Sequence, residues 1–224
     1  MKVLIMAGGR GSRMGALTEH TPKCLLPVKG KPIVQHTIEK VREAGISDIT
    51  IACHYLPEVV QSTLGSFAVD YIIENEPYGT AGALAMIPRD DILVINGDTL
   101  FDCDLRGMME VHRKTKSLAT IAAFHHRFVV PWGVVETDLF AERMNRLEAV
   151  RIHEQPAHDW LCMAGLYVIS KRVLPYVKGK MDMPALLNIL CDKDGPVTVW
   201  DKITHAMNVN TPQDLETANE LEWT

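Results

Sequence analysis

The stretch GGRGSRM (Gly8–Met14) directly follows the apolar run VLIMA (Val3–Ala7), and nothing else in the chain constrains its fold as strongly. A short continuous apolar run closed by a turn signal reads as a strand buried on both faces, as in a parallel sheet. In open parallel sheets, ligands bind outside the carboxyl ends of the strands, where the first loop leaves the first strand. The glycines let the backbone approach a ligand and aim N–H groups at it. Arg10, Arg13 and, nine residues after Met14, Lys23 add mobile positive charge. This combination suits a polyphosphate.

The rest of the first half alternates strand and helix signals. Strands are expected at 2–7, 48–53, 69–73, 92–96 and 118–124, and helices at 33–44, 57–64, 79–87 and 105–116. Regular alternation implies right-handed crossovers and an α/β fold, a Rossmann-like, mostly parallel (mixed) sheet with helices on both faces. From Gly133 the strands shorten to GVVE, LEAVRIHE and MAGLYVIS. Without a repeat or a Gly/Ser linker, this part reads as an extension of the same sheet. TPQDLETANELEW closes with a helix start at Thr211, Pro212 next and Asp214 at the third position. The expectation is one domain over 1–224, in two halves, 1–125 and 126–224, the second ending in a C-terminal helix.

Composition excludes several classes. The net charge of −5 gives no basic footprint for a phosphate-backbone binder, so no nucleic-acid partner is expected. Five scattered cysteines without a CxxC pair favour a reduced protein over a disulfide scaffold or zinc module. VLIMA is too short for a signal-peptide core or a membrane span, so the chain reads as cytoplasmic with no membrane partner, and a homo-oligomer is compatible with it. The nine histidines form no HExxH pattern.

Three readings compete for the loop on its own. A P-loop needs GxxxxGK[ST], which is absent. A Rossmann fingerprint is closer, since Gly9, Gly11 and Gly15 make GxGxxxG, but the acidic residue expected some 20 positions on falls in PVKGKPIVQ. A plain glycine-rich connecting turn would leave Arg10, Arg13 and Lys23 unexplained.

Further blocks extend the evidence. MAGGRGSRMGALTEHTPKCLLPVKGKP, NEPYGTAGAL (75–84) and VINGDTLFDCDL (94–105) occur in order, followed by WGVVE, HEQP, AGLYVIS and NVNTPQDLETAN. Together they resemble the sugar-1-phosphate nucleotidyltransferases, whose signature is GGxGxR[ML] followed by PK and a P-V-x-x-K-P segment. The resemblance spans almost the whole chain, and EPYGTAGAL is most similar to guanylyltransferases for mannose or heptose phosphates. It implies transfer of a nucleotidyl group from a nucleoside triphosphate, GTP favoured, to a sugar 1-phosphate, with pyrophosphate leaving and Mg2+ as cofactor.

By that resemblance Arg13 and Lys23 hold the triphosphate. Ala7, Gly8, Gly9, Gly11, Glu76, Gly79, Thr80, Asn96 and Gly97 border the nucleotide, the bare Gly79 making room for a planar ring. Gly133, Glu136, His153, Glu154, Gln155 and Gly165 face the sugar phosphate. Asp98, at the end of a buried strand in NGDT, suits a magnesium ligand bridging phosphates; the competing reading is a turn or helix cap. Asp102 and Asp104 read as solvated turn and helix-start residues, and Met108 and Met109 as helix core.

Two positions depart from the family pattern. The second metal ligand is ordinarily an aspartate in a D-V-G-T-P segment; here NVNTP puts Asn208 or Asn210 there, and Asn208 is the nominal counterpart. The family's E-K-P lysine is Gln155, between Glu154 and Pro156. If 147–154 is a strand whose alternation runs on, Arg151, His153 and Gln155 share a face and His153 is the substitute cation. These departures keep two alternatives open: a cytidylyl- or guanylyltransferase for a non-sugar phosphate such as phosphocholine, and a catalytically silent homologue that binds nucleotide sugars. The chain stops within a dozen residues of NVNTP, so the left-handed β-helix of many larger relatives is not expected.

Overall fold

The computed structural model describes residues 1–87, 90–137 and 148–223. In chain order its elements are β1 (Lys2–Met6), β2 (Pro27–Val28), β3 (Lys31–Pro32), α1 (Ile33–Glu43), β4 (Ile49–Cys53), α2 (Pro57–Leu64), β5 (Asp70–Ile73), α3 (Gly79–Gly82), β6 (Ile92–Asn96) and β7 (Thr99–Cys103). There follow α4 (Leu105–Thr115), β8 (Ala119–Val129), β9 (Val134–Thr137), β10 (Ala149–His153), β11 (Ala157–Ile169), α5 (Met183–Cys191), β12 (Val197–Trp200), β13 (Ile203–Asn208) and α6 (Pro212–Glu220).

The apolar runs form the middle of the sheet. Val3, Leu4 and Ile5 are fully buried because β1 pairs in parallel with β4 on one side and β6 on the other, Val3 opposite Ile49 and Leu93. The main sheet runs in the order β12-β8-β11-β6-β1-β4-β5. The pairs β12–β8, β6–β1, β1–β4 and β4–β5 are parallel, whereas β11 is antiparallel to β6. The expected α/β fold with a mixed, mostly parallel sheet is therefore observed.

Helices cover the sheet with their apolar stripes. In α1 Ile33, Val34, Thr37, Ile38 and Val41 are buried, a helical spacing of one face. Asp104 caps α4 by accepting the Gly107 N–H at 2.9 Å, and Met108 and Met109 lie in the core, as expected. Thr211 and Asp214 make a reciprocal capping box at the start of α6.

Several elements differ from the sequence expectation. Asp102, read as a turn residue, lies in strand β7, which was not expected and pairs antiparallel with β13 in a separate two-stranded sheet. The expected helix at 79–87 is one α-turn followed by a 3-10 turn over Ala83–Met86. Strand β10 ends at His153, and Gln155 sits at φ +43, so the alternation does not run on to it; a register shift between Ala149 and Arg151 breaks the pattern at the other end. Of the expected strand at 147–154, Leu147 lies outside the described residues.

By its contacts the chain forms two compact units, Met1–Phe124 with Met163–Thr224, and His125–Cys162. Within the second, β9 and β10 pair antiparallel, Ile152 opposite Val135, and the Val130 N–H donates to the Pro156 carbonyl at 3.0 Å. Within the first, a small apolar cluster of Met14, Leu26, Val28, Ile33, Leu100, Val209 and Ala218 packs the glycine-rich loop, the start of α1, β7 and α6 together. That cluster brings NVNTP to the first loop.

Candidate active site at the carboxyl ends of β1 and β6

The loop after β1 takes a shape that only glycine permits at its pivot. Gly11 has φ +70, and a side-chain carbon there would stand 3.0 Å from Lys23 Cβ. Lys23 therefore lies along the bare backbone of Gly11. Gly8 is equally confined, since a Cβ would come within 2.7 Å of Glu74 Oε2, whereas Gly9 faces open space. The Gly97 N–H donates to the Met6 carbonyl at 2.8 Å, tying the loop after β6 to the end of β1, and the Ala7 N–H donates to that of Ala52 in β4 at 2.7 Å.

Lys23 is the hub of the site. Its Nζ pairs with Asp98 Oδ2 and donates to Asn210 Oδ1 at 2.9 Å, and Arg13 Nη2 donates to the same Asn210 oxygen at 2.9 Å. Arg13, Lys23 and Asp98, three residues singled out from sequence, thus meet at one point, with Asn210 as the fourth member. Asn210 is fixed from behind: its N–H and that of Thr211 donate to Asp214 Oδ2 at 2.9 and 2.8 Å. The Val209 N–H donates to the Asp98 carbonyl at 2.9 Å, tying NVNTP to NGDT along the backbone. Burial would push the Asp214 carboxyl up, but the N–H groups of Asn210 and Thr211, the Thr211 hydroxyl and nearby Arg13 hold it below the ordinary range.

Asn208 is placed differently. Its Oδ1 accepts the Thr99 hydroxyl at 2.6 Å, so of the two asparagines it is Asn210 whose oxygen converges with that of Asp98. Gly165 approaches this group at φ +77, where a Cβ would lie 2.8 Å from Asn96 Nδ2 and 3.0 Å from Thr99 Oγ1. Asn96 Oδ1 is buried without a hydrogen-bond partner among the described residues.

A carboxylate not anticipated from the sequence lies on the other side of the loop. Glu74, one residue past β5, is only 5% exposed, and among the described residues its Oε1 has no hydrogen-bond partner. Burial pushes its pKa up, with His54 and the Tyr78 N–H opposing. The only sequence signal was an acidic residue ending a strand, which ordinarily means a solvated end. Glu76, which was anticipated, is exposed.

The GTAG turn is filled from within the chain. A Cβ on Gly79, at φ +77, would lie 2.5 Å from the Met181 carbonyl and 2.6 Å from Asp182 Oδ1. The Thr80 hydroxyl accepts the Met183 N–H at 2.7 Å, capping α5. The space left by the missing side chain of Gly79 is thus occupied by the 181–182 backbone, in place of the planar ring expected there. In the second unit His153 Nε2 stands 3.2 Å from Glu136 Oε2, so these two residues pair with each other. A Cβ on Gly133 would be 3.3 Å from Glu154 Oε2.

The donor set can be tested against a metal. Among the described residues no three His, Cys, Asp or Glu side chains converge. What converges is one carboxylate and one amide oxygen, both directed at the ammonium of Lys23. Hard oxygen donors of this kind suit a divalent ion that keeps several waters and takes its remaining ligands from a phosphate. Cys24, beside Lys23 in sequence, is pushed up to about 12 by burial foremost and then by Cys53, so it offers no thiolate nucleophile.

A glycine-rich loop leaving the first strand of a parallel sheet, with two cations and an aspartate gathered at its mouth, defines an α/β phosphate-handling protein. The chain belongs to the nucleotidyl transferase family, whose sequence profile matches residues 2–188. It is 32% identical over 194 residues to a mannose-1-phosphate guanyltransferase of Debaryomyces hansenii, covering 80% of this chain and 52% of that one. With the mannose-1-phosphate guanylyltransferase of Mycobacterium tuberculosis it shares 26% identity, over 95% of this chain and 62% of the relative. The chain therefore spans between half and two thirds of the length of these relatives. Among solved structures, HddC from Yersinia pseudotuberculosis complexed with GMP-PN superposes with a TM-score of 0.71 at 25% identity, over 98% of both chains. A Bacillus anthracis structure assigned as a glucose-1-phosphate thymidylyltransferase, in complex with a sucrose, gives 0.76 at 25% identity, over 98% of this chain and 94% of the other.

Proposed function

We propose that the protein joins GTP to a sugar 1-phosphate, releasing pyrophosphate and a nucleoside-diphosphate sugar. The observation that carries this reading is the meeting of Arg13, Lys23, Asp98 and Asn210 at the mouth of the glycine loop. An oxygen of the sugar phosphate attacks the α-phosphorus in line with the leaving pyrophosphate. Two anions must be aligned against their repulsion, so most of the catalysis is positioning and charge stabilisation. Arg13 and Lys23 grip the triphosphate, and Asp98 orients Lys23. A bound Mg2+ would be held by Asp98 with an asparagine amide of NVNTP, Asn210 by this geometry, and would neutralise charge on the phosphates.

The preference for GTP rests on the guanylyltransferase relatives and on Glu74. The Watson–Crick edge of guanine presents two adjacent donors, N1–H and N2–H, which a carboxylate accepts as a pair, whereas uracil and thymine set carbonyl oxygens on both sides of their single N–H. A carboxylate beside Gly8 suits guanine and opposes uracil and thymine; because Glu74 is only 5% exposed and its Oε1 is enclosed, the contact between Gly8 and Glu74 must open for it to meet the base. For the sugar phosphate, Gly133, Glu136, His153, Glu154, Gln155 and Gly165 are carried by the resemblance alone. The test is a matrix of the four common nucleoside triphosphates against mannose, glucose and heptose 1-phosphates, read as pyrophosphate release. Turnover with GTP at least tenfold above the other nucleotides supports the reading; no release with any pair overturns it.

A further inference from the structure

At the end of β6 away from Asp98, the segments that follow α4 and β11 enclose a second cavity of about 360 Å3, a size that suits a small ligand. Its rim is cationic. Arg113, Lys116, Lys171 and Arg172 line it, and among the described residues none of the four is in an ion pair. The guanidinium of Arg172 is held in place by neutral acceptors: its Nη2 donates to the carbonyls of Lys116 and Ser117 and its Nε to Ser170 Oγ. Arg113 Nε donates to the Met109 carbonyl at 3.3 Å.

The floor is polar and buried. His112, Ser117 and Ser170 are 3%, 1% and 6% exposed, and all three line the cavity. His112 Nδ1 is engaged by Thr120 Oγ1 at 2.9 Å, leaving Nε2 with no hydrogen-bond partner among the described residues. The only carboxylate in the lining, Asp91, already accepts the Lys171 N–H at 2.9 Å. Among the described residues four cations therefore stand against one carboxylate around the Ser170 hydroxyl and an imidazole, the Ser117 hydroxyl being engaged by Thr115 and Thr198, a set of groups that matches a multiply charged oxyanion.

We propose that this cavity binds a phosphorylated small molecule through its phosphate, at a site separate from the one around Asp98. A neighbouring cavity of about 540 Å3 shares Asp91 and Arg113 and is lined by Met1, Ile46 and Met109 with Asp48 and Asp90. It has room for the organic body of such a ligand, apolar contacts for a ring and carboxylates for its hydroxyl or amino groups. The two sites lie at opposite ends of β6, whose five residues span about 16 Å.

Equilibrium dialysis of labelled inorganic phosphate against the whole chain tests the proposal, at ionic strength fixed with chloride. One equivalent should bind, and Lys116→Gln/Lys171→Gln should weaken it tenfold or more while leaving pyrophosphate release and the melting temperature unchanged. Lys23→Ala should leave phosphate binding at this site intact, so a failure of the catalytic reading and a failure of this one are told apart. Glucose 6-phosphate should compete. If it binds tighter than inorganic phosphate, the ligand is an organic phosphate reaching the neighbouring cavity; if equally, it is free phosphate. Equal binding by wild type and the double variant, loss of binding in Lys23→Ala, or displacement by an equal concentration of chloride would each overturn the proposal.

Discussion

Replacing Asp98 by Asn keeps the shape of the side chain and removes the charge that gathers Lys23. Turnover should fall by roughly 10²-fold or more with the fold intact, because a second neutral amide beside Asn210 leaves no negative charge to balance the ammonium or a divalent cation. Pyrophosphate release across a magnesium titration measures this, and near wild-type rates throughout would take Asp98 out of the mechanism. Arg13→Ala and Lys23→Ala should each lower kcat/KM by roughly 10²-fold; Arg13 is exposed and its loss should barely change thermal stability, whereas the Lys23 side chain is only 11% exposed and its loss, which leaves Asp98 unpaired, should lower the melting temperature. Glu74 behaves differently. Its raised pKa means that the folded chain binds more protons than the unfolded one, so its contribution to stability is greatest below the unfolded carboxyl range and is lost as pH rises through the folded value. Glu74→Gln should therefore melt higher than wild type at pH 8, the difference vanishing towards pH 4, while its selectivity for GTP collapses. A variant that melted lower at pH 8 would show that the carboxylate supports the fold. Arg13 and Lys23 were singled out as cations following the glycine loop and Asp98 as an acid following a buried strand; what the structure adds is that the three side chains converge with Asn210. Glu74 was not singled out, because loops distant in sequence create its burial.

Within the turns, two glycines separate strain from obstruction. Gly15, at φ +59, has nothing within 4 Å of a would-be Cβ, whereas at Gly79 a Cβ meets a backbone carbonyl. Gly15→Ala should cost about 1–2 kcal/mol from the left-handed backbone alone, and Gly79→Ala distinctly more, with α5 loosened through Thr80; urea midpoints rank them. The helix cap at Thr211 is coupled to the site, because the Asp214 carboxylate that completes the capping box also holds the Asn210 N–H. Thr211→Ala should cost about 1 kcal/mol and also lower kcat. An unchanged kcat would mean that the cap and the site are independent. Strand β1, with its apolar run, and helix α1, with its stripe, were evident from periodicity. Strands β7 and β13 were not, since TLFDC and ITHAMN lack a strong alternation and gain their pairing only from each other.

Across the whole molecule, the alternating strands and helices up to residue 124 were legible in the sequence, and the strands from Gly133 were read less well. The β10 reading failed at Gln155 because the alternation argument assumes extended backbone, and a residue at φ +43 ends it. What the blocks could not convey is how far apart in the chain the parts of the site are. Arg13 and Asn210 are 197 residues apart, Lys23 and Asp98 are 75 apart, and their meeting depends on the cluster that packs α6 against the first loop. Contacts that close such long loops form late, after their entropic cost has been met by the sheet between them. Catalytic competence is thus a terminal event of folding. During synthesis Lys23 meets Asp98 before Asn210, which joins it to Arg13, has emerged, so the site is completed only by the last part of the chain; on refolding from denaturant, return of activity should trail the return of helical signal.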